Sequence, residues 1–132
     1  ALEENDLPID PALIVEGDFS EAGGYIAMQK LLSIRPDAIF AASDNMAAGA
    51  YHAIREAGLK IPQDISMIGF DDVSVATRLD PPLSTIHQPI HRMGAKAVDL
   101  LIQIIHQTEP HPQQIILQPE LIIRGSCGCN PG

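Results

Sequence analysis

The stretch of residues 39–50 constrains the fold of this chain more than any other segment. A short apolar run ends abruptly at Ser43, Asp44 and Asn45, and small residues at helical spacing follow. This order predicts a strand that carries polar groups at its carboxyl end, followed by a helix that Asp44 caps. Ligands of open α/β sheets bind at the carboxyl ends of strands, so the segment also indicates where a site should lie.

The same alternation extends on both sides of this segment. Apolar runs predict strands over residues 13–17, 38–42 and 65–70. Helical spacing predicts a helix over residues 21–33, capped by Ser20, and a second helix from Asp44 to the terminating Gly58. A βαβαβ order with short connections predicts an α/β fold with a parallel, doubly wound, Rossmann-like sheet.

The second half of the chain has a different pattern. Residues 73–83 read as a long connection, and residues 84–88 as an extended segment. Pro89 is suited to the first turn of a helix that continues to about Gln107. A proline-punctuated turn over residues 109–112 and two strands, 114–117 and 121–124 on either side of Pro119, complete the prediction.

Charge and composition exclude several classes of protein. The 132 residues carry a formal net charge of −9, which repels phosphate backbones, so this stretch by itself is a poor nucleic-acid binder. No apolar run is long enough to cross a bilayer. Cys127 and Cys129 are too close for a relaxed disulfide and too few for a metal site, which favours unpaired thiols in a reducing compartment.

Asp71 and Asp72 close the third predicted strand and have two interpretations. They either accept hydrogen bonds from the hydroxyl groups of a ligand, or they fix the local turn as an Asx motif. A phosphoacceptor site of the response-regulator receiver type is disfavoured, because the receiver's acidic pair follows the first strand and this pair follows the third.

Other polar and aromatic residues are also open to two readings. Ser43 lies at a strand end and either contacts a ligand or fixes a local turn. Phe19 lies just beyond a strand end and either contacts a ligand or folds onto the core. Gln88 either reaches a ligand or satisfies nearby backbone. His87 and His91 are four residues apart, but Pro89 lies between them and no third metal ligand is evident. Phosphate-loop glycines and hydrolase motifs are missing, so nothing demands an enzyme or a cofactor.

Three linked motifs carry a resemblance to a known family. They are PDAIFAASDNMAAG at residues 36–49, GLKIPQDISMIGFDD at 58–72, and PPLSTIHQP at 81–89 followed by Met93 and Gly94. Together they resemble the lactose-repressor/galactose-repressor (LacI/GalR) family of bacterial transcription regulators, in family order and spacing from about Gly17 to Gly125.

The resemblance implies a two-lobed sensor, similar to periplasmic binding proteins, that closes on a small effector. Residues 1–83 then correspond to part of the C-terminal lobe, 84–112 to the crossover and last helix of the N-terminal lobe, and 113–132 to return strands and a tail. The DNA-binding head is expected outside this chain. The implied protein is a cytoplasmic homodimer that binds operator DNA through that head, and is neither an enzyme nor a metal or cofactor protein.

The resemblance also implies roles for individual residues. The ligand contacts that it implies are Asp71, Phe19, Ser43, Gln88 and Ile90. The dimer contacts that it implies are Met46, Ala48 and Leu79. A carboxylate and an aromatic ring suit a sugar or a nucleoside, and we favour a sugar. The alternatives are a secreted sugar-binding protein of the same fold and part of a Rossmann-like enzyme.

Overall fold

A computed structural model describes residues 2–106 and 114–129 of the chain. Its helices and strands, in chain order, are α1 (Glu21–Leu32), β1 (Ala38–Phe40), α2 (Asp44–Glu56), β2 (Ser66–Asp71), α3 (Ser74–Arg78), β3 (Ser84–His87), α4 (Ile90–Ile105) and β4 (Glu120–Ile122). Short 3-10 turns lie at Glu3–Asn5, Pro11–Leu13 and Gly125–Cys127. No helix of the described residues has the length and apolar character needed to span a membrane.

The four strands form one sheet in the order β1-β2-β3-β4. The pairs β1–β2 and β2–β3 are parallel, and β4 runs antiparallel to β3 with His87 opposite Glu120. The mixed α/β fold with a mostly parallel sheet confirms the predicted fold class. The carboxyl ends of β2 and β3 lie side by side, with Asp71 opposite His87.

Helices α1 and α2 pack at very short range because a glycine on each helix faces the backbone of the other. A Cβ on Gly49 would lie 1.8 Å from the carbonyl oxygen of Glu21, and a Cβ on Gly24 would lie 2.1 Å from the carbonyl oxygen of Met46. The small residues of α2 therefore serve packing within this chain. The largest fully buried side chains include Tyr51 on α2, whose hydroxyl donates to the carbonyl of Pro81 at 3.0 Å.

Two predicted strands are wrong. Residues 13–17 do not join the sheet, since the Pro11–Leu13 turn is followed by extended chain. Val15 and Gly17 line a cavity of about 240 Å3 together with Ile39 and Phe40 of β1, and the two segments form no ladder. Residues 114–117 also form no strand, and β4 begins immediately after Pro119.

One further segment differs from the prediction. The connection 73–83 contains the short helix α3, whose carbonyl at Ala76 accepts a hydrogen bond from the amide of Leu83 at 2.8 Å. Helix α4 is observed as predicted up to Ile105. The predicted helix end at Gln107 and the proline-punctuated turn lie outside the described residues.

Candidate functional site

The carboxyl end of β2 adopts an unusual backbone conformation. Asp71 has φ 110° and the next residue, Asp72, has φ 59°. Residues with a Cβ rarely occupy this half of the Ramachandran plot, and two in succession persist only where their surroundings hold them. Strained, polar positions at a strand end are typical of functional sites, which makes this acidic turn the centre of the candidate site.

Asp71 is held by the segment that follows β3. The side-chain amide of Gln88 donates from Nε2 to Oδ1 of Asp71 at 2.7 Å. Gln88 lies between β3 and α4, where the chain leaves the sheet. The structure thus brings together two residues that are seventeen positions apart and that were both predicted as ligand contacts.

Asp72 is held by two cationic or titratable partners. Arg124 donates from Nη2 to Oδ1 of Asp72 at 2.6 Å, and His87 Nδ1 lies 3.0 Å from Oδ2. A second guanidinium nitrogen of Arg124 donates to the carbonyl of Leu83 at 2.8 Å. Partial burial disfavours the charged carboxylate, but the hydrogen bonds and charges of Arg124 and His87 outweigh it and lower the pKa of Asp72.

Asp44 has a different role from the one predicted. It is fully buried and accepts hydrogen bonds from the hydroxyl of Thr85 at 2.6 Å and from the amide of Val73 at 2.8 Å. Burial raises the pKa of Asp44, opposed by these two hydrogen bonds and reinforced by the charges of Asp71 and Asp72. Asp44 therefore fixes the chain directly after the acidic turn.

The helix cap that we assigned to Asp44 belongs to Ser43. The hydroxyl of Ser43 accepts from the amide of Met46 at 3.2 Å, and Ser43 is the residue that precedes α2 in extended conformation. Ser43 is also buried. A hydroxyl accepts through two lone pairs and donates one proton, so ligand contact by Ser43 stays a prediction and has to share the group with the cap.

The three phenylalanine residues line two different cavities. Phe19, with φ 62° and its side chain exposed, lines the 240 Å3 cavity beside β1 together with Phe40. Gln88 and Phe70 line a separate cavity of about 490 Å3 between the end of the sheet and α4. The ring centroids of Phe40 and Phe70 are 6.4 Å apart in an edge-to-face arrangement, so each cavity is lined by one ring of this aromatic pair.

The remaining predicted contacts lie in different surroundings. Ile90 is the first residue of α4 and is 53% exposed. Met46 and Ala48, predicted at a dimer interface, are buried within this chain, and Leu79 is half-buried against the same core. These three residues therefore offer little surface to a partner, and the dimer interface stays a prediction.

Sequence reasoning missed three residues that build the site. Thr85 and Arg124 were not singled out, and His87 was considered only as a metal ligand. Thr85 and His87 are two residues apart on β3, so their side chains lie on the same face of the sheet. Strand periodicity could have shown this. The position of Arg124 depends on the antiparallel return of β4, which no local pattern shows. Among the described residues, no cluster of three or more His, Cys, Asp or Glu side chains could hold a metal ion.

Comparisons with known proteins agree with this geometry. The family model described as periplasmic binding protein-like domain matches residues 1–127. The ribose operon repressor of Haemophilus influenzae is 44% identical over 128 residues, which cover 96% of this chain and 39% of that protein. This chain thus spans about two fifths of the length of that relative.

Two solved structures are also similar. The transcriptional regulator CelR in complex with cellobiose superposes with a TM-score of 0.92 and 34% identity, covering 95% of this chain and 39% of that one. The lac repressor dimer bound to operator and anti-inducer superposes with a TM-score of 0.85 and 34% identity, covering 96% and 38%. The chain therefore belongs to the periplasmic binding protein-like domain family, in the form found in the sensor domains of LacI/GalR transcription regulators.

Proposed function

We propose that this chain is the effector-binding part of a bacterial transcription regulator, that it performs no catalysis, and that its effector is a sugar. The observation that carries the proposal is the strained Asp71 carboxylate at the carboxyl end of β2, held by Gln88 at 2.7 Å. A carboxylate accepts several hydrogen bonds, and an amide beside it both donates and accepts, which matches the adjacent hydroxyl groups of a sugar.

The relatives support this choice of class. One is named for a ribose operon, and one solved structure is a complex with cellobiose. Because these relatives are transcription regulators, a secreted sugar-binding protein is not favoured. The proposal includes action in the bacterial cytoplasm as a homodimer, with operator binding by a separate head. The proposal also assigns residues 1–83 to part of the C-terminal lobe, 84–112 to the crossover and last helix of the N-terminal lobe, and 113–132 to return strands and a tail.

The proposed mechanism is a shift of population between two arrangements of the sensor. Gln88 lies between β3 and α4, and its hydrogen bond to Asp71 links this connection to the end of β2. A ligand that binds Asp71 either replaces this hydrogen bond or adds to it. The effector then favours whichever arrangement it binds more tightly, and operator affinity changes by no more than that difference in binding free energy.

Calorimetric titration of the full-length regulator with D-ribose, cellobiose and a purine nucleoside tests the proposal. We expect one of the two sugars to bind. We expect Asp71→Asn to weaken that binding by roughly 10- to 100-fold, because one charge-assisted hydrogen bond contributes about 1.5–3 kcal/mol.

Asp80→Asn is the matched control, since the Asp80 side chain is 95% exposed and lies away from the acidic turn. Operator affinity without effector should be unchanged in both variants. Equal sugar affinity in Asp71→Asn and wild type would remove Asp71 from the site, and binding of the nucleoside alone would overturn the sugar assignment.

A further inference from the structure

The two cysteines lie in a tight turn that is separate from the acidic turn. The Gly125–Cys127 3-10 turn is followed by Gly128 in the left-handed region, with φ 74°. This conformation folds the chain back, so that the backbone amide of Cys129 donates to the sulfur of Cys127 at 3.4 Å. The thiol of Cys129 also lies 4.0 Å from the carbonyl oxygen of Cys127, and the thiol of Cys127 lies 3.8 Å from the carbonyl oxygen of Arg124.

One side of this turn is anchored to the sheet. The hydroxyl of the fully buried Ser126 donates to the carbonyl of Met67 at 2.7 Å and accepts from the amide of Ser84 at 2.8 Å. Cys127 is consequently held in place and partly buried, whereas Cys129 is exposed. One sulfur is fixed and the other is accessible to solvent.

The pKa values of the two thiols shift in opposite directions. Partial burial disfavours the Cys127 thiolate, but hydrogen bonds from Ser84 and from the amide and thiol of Cys129 outweigh it and lower the pKa of Cys127. The hydrogen bond with Cys127 and its charge raise the pKa of Cys129. The first thiolate to form therefore belongs to Cys127, with a protonated thiol beside it, which is the usual arrangement of a peroxide-reactive cysteine and its resolving partner.

We propose that Cys127 and Cys129 form a modification site, a dithiol that hydrogen peroxide oxidises reversibly to an intraloop disulfide. The Cys127 thiolate attacks one peroxide oxygen, so that an S–O bond forms, the O–O bond breaks and the departing hydroxide takes a proton to become water. The sulfur of Cys129 then attacks Cys127, so that an S–S bond forms and the S–O bond breaks. The proton of the Cys129 thiol and the released hydroxide give a second water.

The spacing of the pair suits a reversible modification. A disulfide across one intervening residue departs from relaxed geometry, and strained disulfides are more easily reduced. A small thiol reductant then restores both thiols by two exchange steps. This site is independent of the proposed effector function, because Asp71 and Gln88 take no part in it.

Stoichiometric hydrogen peroxide on the reduced protein, followed by maleimide labelling and intact mass spectrometry, tests the proposal. We expect loss of both maleimide sites and a mass decrease of about 2 Da, the loss of two hydrogens, without covalent dimers. Dithiothreitol should restore both sites. Oxidation that stays on one cysteine, or that yields only disulfide-linked dimers, would overturn the proposal.

Single substitutions assign the two roles. In Cys129→Ser, oxidation should stop at a sulfenic acid on Cys127 that dimedone traps. In Cys127→Ser, the remaining Cys129 should react more slowly with peroxide than Cys127 does in the first variant. Equal rates in the two variants, with circular dichroism showing both folded, would contradict the assignment of Cys127 as the reactive sulfur.

Discussion

Helices α2 and α4 have similar lengths but opposite relations to the rest of the molecule. Nine of the thirteen residues of α2 are buried, and most of them are small. None of the sixteen residues of α4, all of which the structure describes, is buried. Yet α4 carries the larger apolar side chains, with Val98, Leu101, Ile102 and Ile105 each close to half exposed or more.

The difference shows that burial of a helix depends on the surface offered to it. Gly24 on α1 and Gly49 on α2 each face the backbone of the other helix and let the two backbones approach, so even alanine side chains become fully buried. Helix α4 has a clear apolar stripe, but little of the described chain packs against that stripe. The apolar stripe of a helix therefore predicts that the helix needs a packing partner, but it does not show which surface that partner is.

Among the substitutions that distinguish α2 from α4, Gly49→Ala should change the free energy of unfolding most. The added Cβ meets backbone of α1 at 1.8 Å, so the helices have to move apart. Overpacking of this kind costs about 1–3 kcal/mol, and we expect a value at the upper end because the obstacle is backbone. Urea unfolding followed by circular dichroism measures the free energy of unfolding.

Gly94→Ala on α4 is the matched control for this substitution. A Cβ at Gly94 meets nothing within 4 Å, and alanine stabilises a helix interior by about 1 kcal/mol relative to glycine. The two variants should therefore change stability in opposite directions. A destabilised Gly94→Ala variant would show that α4 is packed more tightly than the structure indicates.

Asp44→Ala should give the next largest effect. It removes the acceptor for both the Thr85 hydroxyl and the Val73 amide, and an unsatisfied buried donor costs about 1–3 kcal/mol. Part of this cost is offset, because the substitution also removes a buried carboxylate. Asp99→Ala on α4 is the control, since Asp99 is exposed and pairs with Lys96 only at 3.7 Å. Exposed pairs contribute about 0–1 kcal/mol, so similar losses of melting temperature in the two variants would contradict the role given to Asp44.

The acid limb of the stability profile should give the smallest effect. The pKa of Asp72 is lower in the folded chain than its ordinary value of 3.8. The stability that Asp72 contributes is therefore fully present above pH 3.8 and is lost as pH falls through its folded pKa. The pKa of Asp44 is raised, so Asp44 acts in the opposite direction and above pH 3.8.

Thermal unfolding of wild type and Asp72→Asn between pH 2 and pH 6 (about the range where carboxylates titrate) measures this contribution. The difference between the two proteins should shrink as the pH falls below 3.8. A difference that stays constant across this range would mean that the Arg124 and His87 contacts do not depend on the charge of Asp72.

Much of the secondary structure could be predicted, because it follows from local periodicity. Helices α1 and α2 and strand β2 lie within one or two residues of their predicted bounds. The false strand at 13–17 has the composition of a strand but lacks a hydrogen-bonded neighbour in the described chain. A strand is defined by its partner, and a single sequence does not contain that information.

The sequence could predict that two residues of the candidate site meet, and their roles in ligand binding stay predictions. Asp71 and Gln88 were singled out, and they do meet. The helix cap belongs to Ser43 and not to Asp44, because either side chain can cap a helix and only the neighbouring strand decides which one is used elsewhere. Thr85, which lies forty-one residues from Asp44, makes that choice.

The sequence by itself determined the alternation of strands and helices and the polar ends of the strands, because both depend on spacing along the chain. The tertiary structure decided which polar groups hold the fold. It buried Asp44 against β3, placed Arg124 beside Asp72 and turned Gly49 of α2 towards α1. The physical reason is that a hydrogen bond or a close packing contact needs two partners, and in each of these cases the second partner is distant in sequence.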